Sequence, residues 1–190
     1  MCGIAGILDS KRPVDPQVLA RMTNSLRHRG PDDEQYHIAN APPGRTSIGL
    51  GFRRLAIIDL SGGRQPMCNE DGSIWIVCNG EIYNHPDLRK ELEARGHRFS
   101  TNCDVECLLH LYEDHGVDCL NKANGMFAIA IWDSRNETLF LARDRMGKKP
   151  LYYRDTASQL LFGSELKALL QHPDCPRELD RVNLGKYLAF

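Results

Sequence analysis

Two rhythms of apolar residues run along this chain. Short apolar runs or alternations mark strands, and apolar residues returning every three or four positions mark helices. Ile4, Ala5, Ile7 and Leu8 read as a short buried strand. Asp15 and Pro16 supply an N-cap and a first helical position, and Val18, Leu19, Met22 and Leu26 then keep helical spacing up to Gly30. Arg27 to Asp33 is a charged, solvated turn, and Pro42-Pro43-Gly44 is a loop. Ser47 to Asp59 is strand-like, with Arg53-Arg54 in its middle, and Ser61 to Pro66 is a loop. Ser73 to Cys78 is a compact apolar strand running into Asn79-Gly80-Glu81, a tight-turn signal.

Pro86 opens the next helix, with Leu88 and Leu92 on one face and Gly96 as terminator. Phe99 to Thr101 is expected as a brief strand. Asp104 then heads a helix carrying Val105, Leu108, Leu109 and Tyr112, stopped by Gly116. Met126–Asp133 and Thr138–Arg143 form a hairpin. Leu160 to Gly163 is a last strand, Glu165 to His172 a helix, and Asp180 caps a final helix that reaches Phe190 with no stop signal. That ending suggests a longer natural protein.

The 190 residues suit one domain, and 42% hydrophobic with 26% charged residues is ordinary for a globular chain. A net charge of −1 gives no field for nucleic acid or a membrane surface, and no apolar run is long enough to span a bilayer. The start carries no charged-then-apolar leader, so a cytoplasmic location is expected. The seven cysteines include no Cys-x-x-Cys pair, which argues against a disulfide framework. Cys103, Cys107 and His110 could share a helical face, but no fourth zinc ligand is suggested, and packing is the better reading.

The candidate chemistry begins at Cys2. If Met1 is removed, this residue carries a thiol and a free α-amine of pKa roughly 7.7–8.0, a nucleophile with its own base. The plainer reading is a buried, inert cysteine. Arg54 could grip a carboxylate through paired hydrogen bonds or be a surface residue. Asn79 and Gly80 offer a side-chain amide beside an unobstructed N–H, the donors of an oxyanion hole, or they are only a turn. Asp104 could face an ammonium group or cap its helix. Gly49-x-Gly51 lacks the third glycine of a dinucleotide fingerprint. Ser61-Gly62-Gly63 lacks the residues that would continue a pyrophosphatase loop. No Walker loop or His-Glu-x-x-His occurs.

Several blocks occur together and in order: Met1-Cys2-Gly3-Ile4-Ala5-Gly6, Arg27-His28-Arg29-Gly30-Pro31-Asp32, Arg54 to Asp59, Asn79-Gly80-Glu81-Ile82-Tyr83-Asn84, Asp104-Val105-Glu106, Arg143 to Tyr153 and Ser164 to Leu169. With them the chain strongly resembles the glutaminase domain of glutamine-hydrolysing asparagine synthetases, a class II glutamine amidotransferase. The resemblance covers nearly the whole chain. It implies an α+β fold, a four-layer αββα sandwich of two antiparallel sheets between helical layers, of N-terminal-nucleophile hydrolase type. It implies that residues 1–190 are one amidotransferase domain, cut before a C-terminal ATP-dependent synthetase domain in cis.

For the site the resemblance implies Cys2 as nucleophile with Asn79 and Gly80 as oxyanion hole. It puts Arg54 on the α-carboxylate of L-glutamine, the backbone of Leu55, Ala56, Ile57 and Ile58 along the same pocket, and Glu81 and Asp104 on the α-ammonium. It implies no metal or cofactor for this half-reaction, with ATP and Mg²⁺ belonging to the absent domain. Arg29, Asp144 and Lys148 are given only structural or interface roles. A homodimer is compatible. Two other readings stay open: the same glutaminase serving another carboxylate acceptor, and a non-catalytic glutamine-binding module, against which Cys2 itself argues.

Overall fold

The computed structural model describes residues 1–56 and 62–189. Strand β1 (Gly3–Asp9) is followed by helix α1 (Pro16–Asn24), then β2 (Asp33–Ala39), β3 (Ser47–Arg54), β4 (Met67–Cys68) and β5 (Ile74–Ile82). Helices α2 (His85–Ala94) and α3 (Val105–His115) come next, with a 3₁₀ turn over Gly116–Asn121. The chain then forms β6 (Gly125–Asp133), β7 (Thr138–Arg143), β8 (Tyr152–Asp155), β9 (Gln159–Gly163), α4 (Leu166–Leu169) and α5 (Arg181–Leu188).

The strands form two sheets. One has five strands in the order β2-β3-β1-β9-β8, and the other has four in the order β4-β5-β6-β7. All pairings are antiparallel among the described residues. The two-residue period of each strand sorts its side chains between two layers. On β1, Ala5 and Ile7 join Val18, Leu19, Met22 and Leu26 of the α1 segment in a cluster that α4 completes through Ala168 and Leu169. Ile4 faces the other way and packs with Ile48, Leu50 and Phe52 of β3 and Phe162 of β9, against Val77, Ala128, Ala130 and Trp132 of the second sheet. The alternate residues of that sheet, Ile76, Cys78, Ile129 and Ile131 among them, meet Leu88 and Leu92 of α2 and Val105 and Leu108 of α3. Helices, sheet, sheet and helices are therefore stacked over three apolar seams. Each fully buried large side chain contributes about 1.5–3 kcal/mol to those seams. This is the αββα sandwich that the family resemblance implied.

Several local expectations are corrected. Helix α1 stops at Asn24 instead of running to Gly30, with Ser25 as its C-cap. Residues Asp33–Ala39, to which the sequence reading gave no strand, form edge strand β2, half exposed and polar. The strand expected to reach Asp59 ends at Arg54, and residues 57–61 lie outside the described ones. No turn forms at Asn79-Gly80. Strand β5 continues to Ile82, with Asn79 opposite Ala128 and Gly80 opposite Phe127. Glycine is used there for close approach, since a Cβ on Gly80 would lie 2.4 Å from the Met126 carbonyl oxygen. Phe99–Thr101 is not a strand. The Glu106 carboxylate takes the Ser100 and Thr101 N–H groups at 2.6 and 2.9 Å, so the backbone is satisfied without a neighbour. Strand β8 was not anticipated, and the helix expected over Glu165–His172 is regular only at Leu166–Leu169.

The layer between the sheets is tight at Gly6 on β1, where an added Cβ would sit 2.2 Å from Phe162 Cε1 and 2.8 Å from the Gly49 carbonyl oxygen. Overpacking of this kind costs about 1–3 kcal/mol, occasionally more. Gly6→Ala is therefore expected to lower the unfolding free energy by that amount, read as a fall in the denaturant midpoint in chemical unfolding. An unchanged midpoint would mean that Phe162 and β3 yield at this contact.

Candidate active site

One end of the space between the sheets is open and forms a cleft of about 90 Å³. The side chains reaching it continue faces already assigned by the strand period. Cys2 lies two residues before Ile4, Arg54 two after Phe52, and Asn79 two after Val77. Gly80, Glu81, Leu55 and Met126 complete the strand-side wall. Asp104, Cys103 and Val105 enter from the head of α3, and Gly63 and Gln65 from the loop before β4. Lys149 and Met1 close the rim, the ammonium lying 3.4 Å from the Met1 sulfur.

The cysteine is held at both ends. Leu55 N–H points at Cys2 Sγ from 3.4 Å, and Sγ lies 3.7 Å from the Leu55 carbonyl oxygen. Arg29 Nε donates to the Cys2 carbonyl at 3.0 Å. Two residues on, Ile4 N–H donates to Ser164 Oγ at 3.0 Å, and Ser164 N–H returns a bond to the Ile4 carbonyl at 2.9 Å. Arg29 is fixed in turn by Glu165, Nη1 to Oε1 at 3.0 Å.

The cleft lining includes two basic residues, Arg54 and Lys149, and two acidic ones, Glu81 and Asp104. Burial pushes the Cys2 thiol above its ordinary range; the Leu55 N–H, the terminal ammonium, Arg54 and Lys149 pull against that rise. Asp104 heads α3 but makes no capping hydrogen bond. Its Oδ2 instead accepts the Ile82 N–H at 2.7 Å and ties the helix to β5. Asn79 is 1% exposed, and its amide nitrogen Nδ2 has no partner among the described residues. A buried N–H left unpaired costs about 1–3 kcal/mol, which marks a donor kept for something that enters the cleft.

Asp144 anchors the turn that delivers Lys149. Burial would raise its pKa, but the N–H groups of Lys148, Lys149, Phe127 and Met146 all point at its carboxylate and hold it below the usual range. Arg53 faces away from the cleft and donates to the Gly30 carbonyl at 2.9 Å.

The structure thus brings Cys2, Arg54, Leu55, Asn79, Gly80, Glu81 and Asp104 around one cleft. Ala56 is not on its wall; its N–H donates to Asp32 Oδ2 at 2.8 Å. Ile57 and Ile58 lie outside the described residues. Sequence reasoning missed Gln65, whose Oε1 accepts the Cys78 N–H at 2.6 Å, and Cys103, Met126 and Lys149. Only Lys149, inside the Arg143–Tyr153 block, carried a signal. Cys103, Cys107 and His110 do not converge: the Cys107 thiol donates to the His85 carbonyl at 3.5 Å, and Cys103 lies at the cleft.

Comparison with known proteins gives a consistent result. Residues 1–190 match the family model described as a glutamine amidotransferase domain. The chain is 46% identical to asparagine synthetase [glutamine-hydrolyzing] 3 of Bacillus subtilis, over 100% of its own length and 31% of the relative's. It is 45% identical to asparagine synthetase [glutamine-hydrolyzing] 2 of the same organism, over 95% of its own length and 24% of the relative's. The chain therefore spans under a third of these curated relatives. Among solved structures, the glutamine phosphoribosylpyrophosphate amidotransferase of B. subtilis superimposes with a TM-score of 0.68 at 23% identity, covering 88% of this chain and 43% of that one. A structure described as the allosteric regulatory enzyme of purine biosynthesis gives 0.71 at 23% identity, covering 90% and 43%. These two support the fold.

The Arg29–Glu165 pair behind Cys2 makes a pH test available. Burial would raise the Glu165 pKa, but Arg29, His28 and Lys167 pull it to about 2. A carboxylate whose folded pKa is depressed contributes stability above its unfolded value of about 4.3 and loses it as pH falls. The stability gap between the native chain and Glu165→Gln is expected to be full above about pH 4.5 and to close toward pH 2. Urea unfolding across that window checks it. A gap independent of pH would contradict the pairing.

Proposed function

Because the chain belongs to the glutamine amidotransferase domain family, we propose that it hydrolyses the side-chain amide of L-glutamine to glutamate and ammonia, with Cys2 as nucleophile. The observation that supports this best is the buried, unpartnered Asn79 amide on the wall of the cleft that Cys2 lines. With Met1 in place, the Cys2 nitrogen is a peptide nitrogen and the Met1 side chain occupies the rim. Removal of Met1 frees the amine and widens the cleft.

The reaction then balances as follows. The Cys2 amine takes the thiol proton, and the thiolate attacks the carboxamide carbon. The oxygen that gains charge is held by Asn79 Nδ2–H and the Gly80 N–H. The protonated amine passes its proton to the leaving nitrogen, the C–N bond breaks, and ammonia departs from a thioester. Water, activated by the same amine, attacks the thioester; glutamate leaves and the thiol is restored.

Arg54 holds the α-carboxylate, and Glu81 and Asp104 hold the α-ammonium. A zwitterion needs both signs of charge, and the cleft lining supplies both. Asparagine offers the same head group, so selection comes from the depth between these charges and the thiol. The raised thiol pKa explains why the adjacent base is needed near neutral pH. This half-reaction balances without a metal or cofactor. We further propose that the ammonia serves a synthetase domain in cis that activates aspartate with ATP and Mg²⁺, and that the whole protein works in the cytoplasm.

Two kinetic tests follow, on chain shown by intact mass to lack Met1. Cys2→Ala is expected to keep the circular dichroism of the native chain and release no glutamate, while Asn79→Ala lowers kcat by about 10²–10³. Any turnover in Cys2→Ala, or an unchanged kcat in Asn79→Ala, would remove that residue from the reaction. Arg54→Ala is expected to act mainly on KM for glutamine, and an unchanged KM would displace the carboxylate contact.

A further inference from the structure

Helix α3 carries Asp104 to the cleft at its head, and further along it carries His110 into a second group of polar residues away from that cleft. We propose that Glu70, His97 and His110 form a binding site for a divalent transition-metal ion of the zinc class. One ligand atom from each of the three lies within 4.8 Å of the others, although they come from the β4–β5 connection, the loop after α2, and α3.

The placement of the ring nitrogens is what points to a cation. His110 is 1% exposed, and its Nδ1 lies 2.8 Å from Glu113 Oε2. A carboxylate only accepts, so the ring proton belongs on Nδ1. Nε2 is left buried and without a partner among the described residues, and in the neutral ring it is the atom that can bind a metal. His97 is arranged in the same sense. Its Nε2 lies 3.0 Å from Asp114 Oδ1, while Nδ1 is 3.6 Å from Glu113 Oε2, beyond hydrogen-bond reach.

Each imidazole thus has a carboxylate behind it, the support that fixes the tautomer and raises the basicity of metal-bound histidines. Those carboxylates are held in turn. Asn69 Nδ2 donates to Glu113 Oε1 at 2.8 Å, and Arg95 Nη1 to Asp114 Oδ2 at 3.1 Å. Glu70 Oε1 accepts the Arg98 N–H at 3.1 Å. Glu70 is exposed, so an ion reaches the group from solvent, and water completes its coordination. Two imidazoles and one carboxylate select zinc, cobalt or nickel over magnesium or calcium, which prefer oxygen alone. Bound there, the ion would join the β4–β5 connection, the post-α2 loop and α3 at one point.

The test is titration of the full chain, in a Cys2→Ala background that removes the cleft thiol, with Zn²⁺ by calorimetry and with Co²⁺ by absorption near neutral pH. A single ion per chain is expected, with visible cobalt d–d bands and no thiolate-to-cobalt charge-transfer band. Zn²⁺ is expected to raise Tm. His97→Gln and Glu70→Gln, both outside the core, are expected to weaken binding at least ten-fold and abolish the Tm shift, and Asp114→Asn to weaken it by about 10–100-fold. Absence of binding, binding indifferent to His97→Gln and Glu70→Gln, or a thiolate band would each overturn the site and leave the group an ion-pair cluster.

Discussion

The fold depends on how the first residues of the chain are fixed. A chain terminus ordinarily frays, and a nucleophile on a frayed end would have no defined direction. Here the terminus enters β1, flanked by β3 on one side and β9 on the other. Cys2 precedes that strand by one residue and is gripped through its carbonyl by Arg29 and through its sulfur by the Leu55 N–H. Ser164 extends the β9 side of the pairing by one residue, from the Ala5–Gly163 pair out to Ile4. Backbone pairing along a central strand thus becomes positional accuracy at one sulfur atom.

That anchoring would accomplish little without the second sheet. The two-residue period that buries Ile4, Phe52 and Val77 between the sheets also aims Cys2, Arg54 and Asn79 into the open end of the same space. The cleft is the core continued past its last apolar layer, where polar residues replace aliphatic ones. Its far wall is brought by two polar tethers, Asp104 to the Ile82 N–H and Asp144 to the turn bearing Lys149.

What was legible in the sequence follows physical lines. Elements with one clearly buried face were readable: β1, α1, β5, α2, α3 and the β6–β7 hairpin. Strands β2 and β8 were not, because Asp33–Ala39 and Tyr152–Asp155 are edge strands with polar, largely unburied side chains, so no alternation marks them. Asn79-Gly80 carried a true turn signal that tertiary structure overrode, since Gly80 is needed for backbone approach to Met126. Asp104 had the position of a cap and a different partner. Among the cleft residues, those in contiguous motifs were found from their blocks. Gln65 and Cys103 were not, because their place depends on long-range packing that no local spacing encodes. For the same reason His110 was first grouped with Cys103 and Cys107, which lie seven and three positions before it, although its neighbours in space are His97 and Glu70.

The central claim is that a cysteine with its own free α-amine sits at a site shaped for glutamine, and covalent capture tests it most directly. A glutamine analogue bearing an electrophile in place of the amide should add one label to chain lacking Met1. Peptide mapping should find that label on Cys2, and excess glutamine should slow its addition. Labelling spread over the other cysteines, labelling at Cys2 indifferent to glutamine, or equal labelling of chain that retains Met1 would contradict the account.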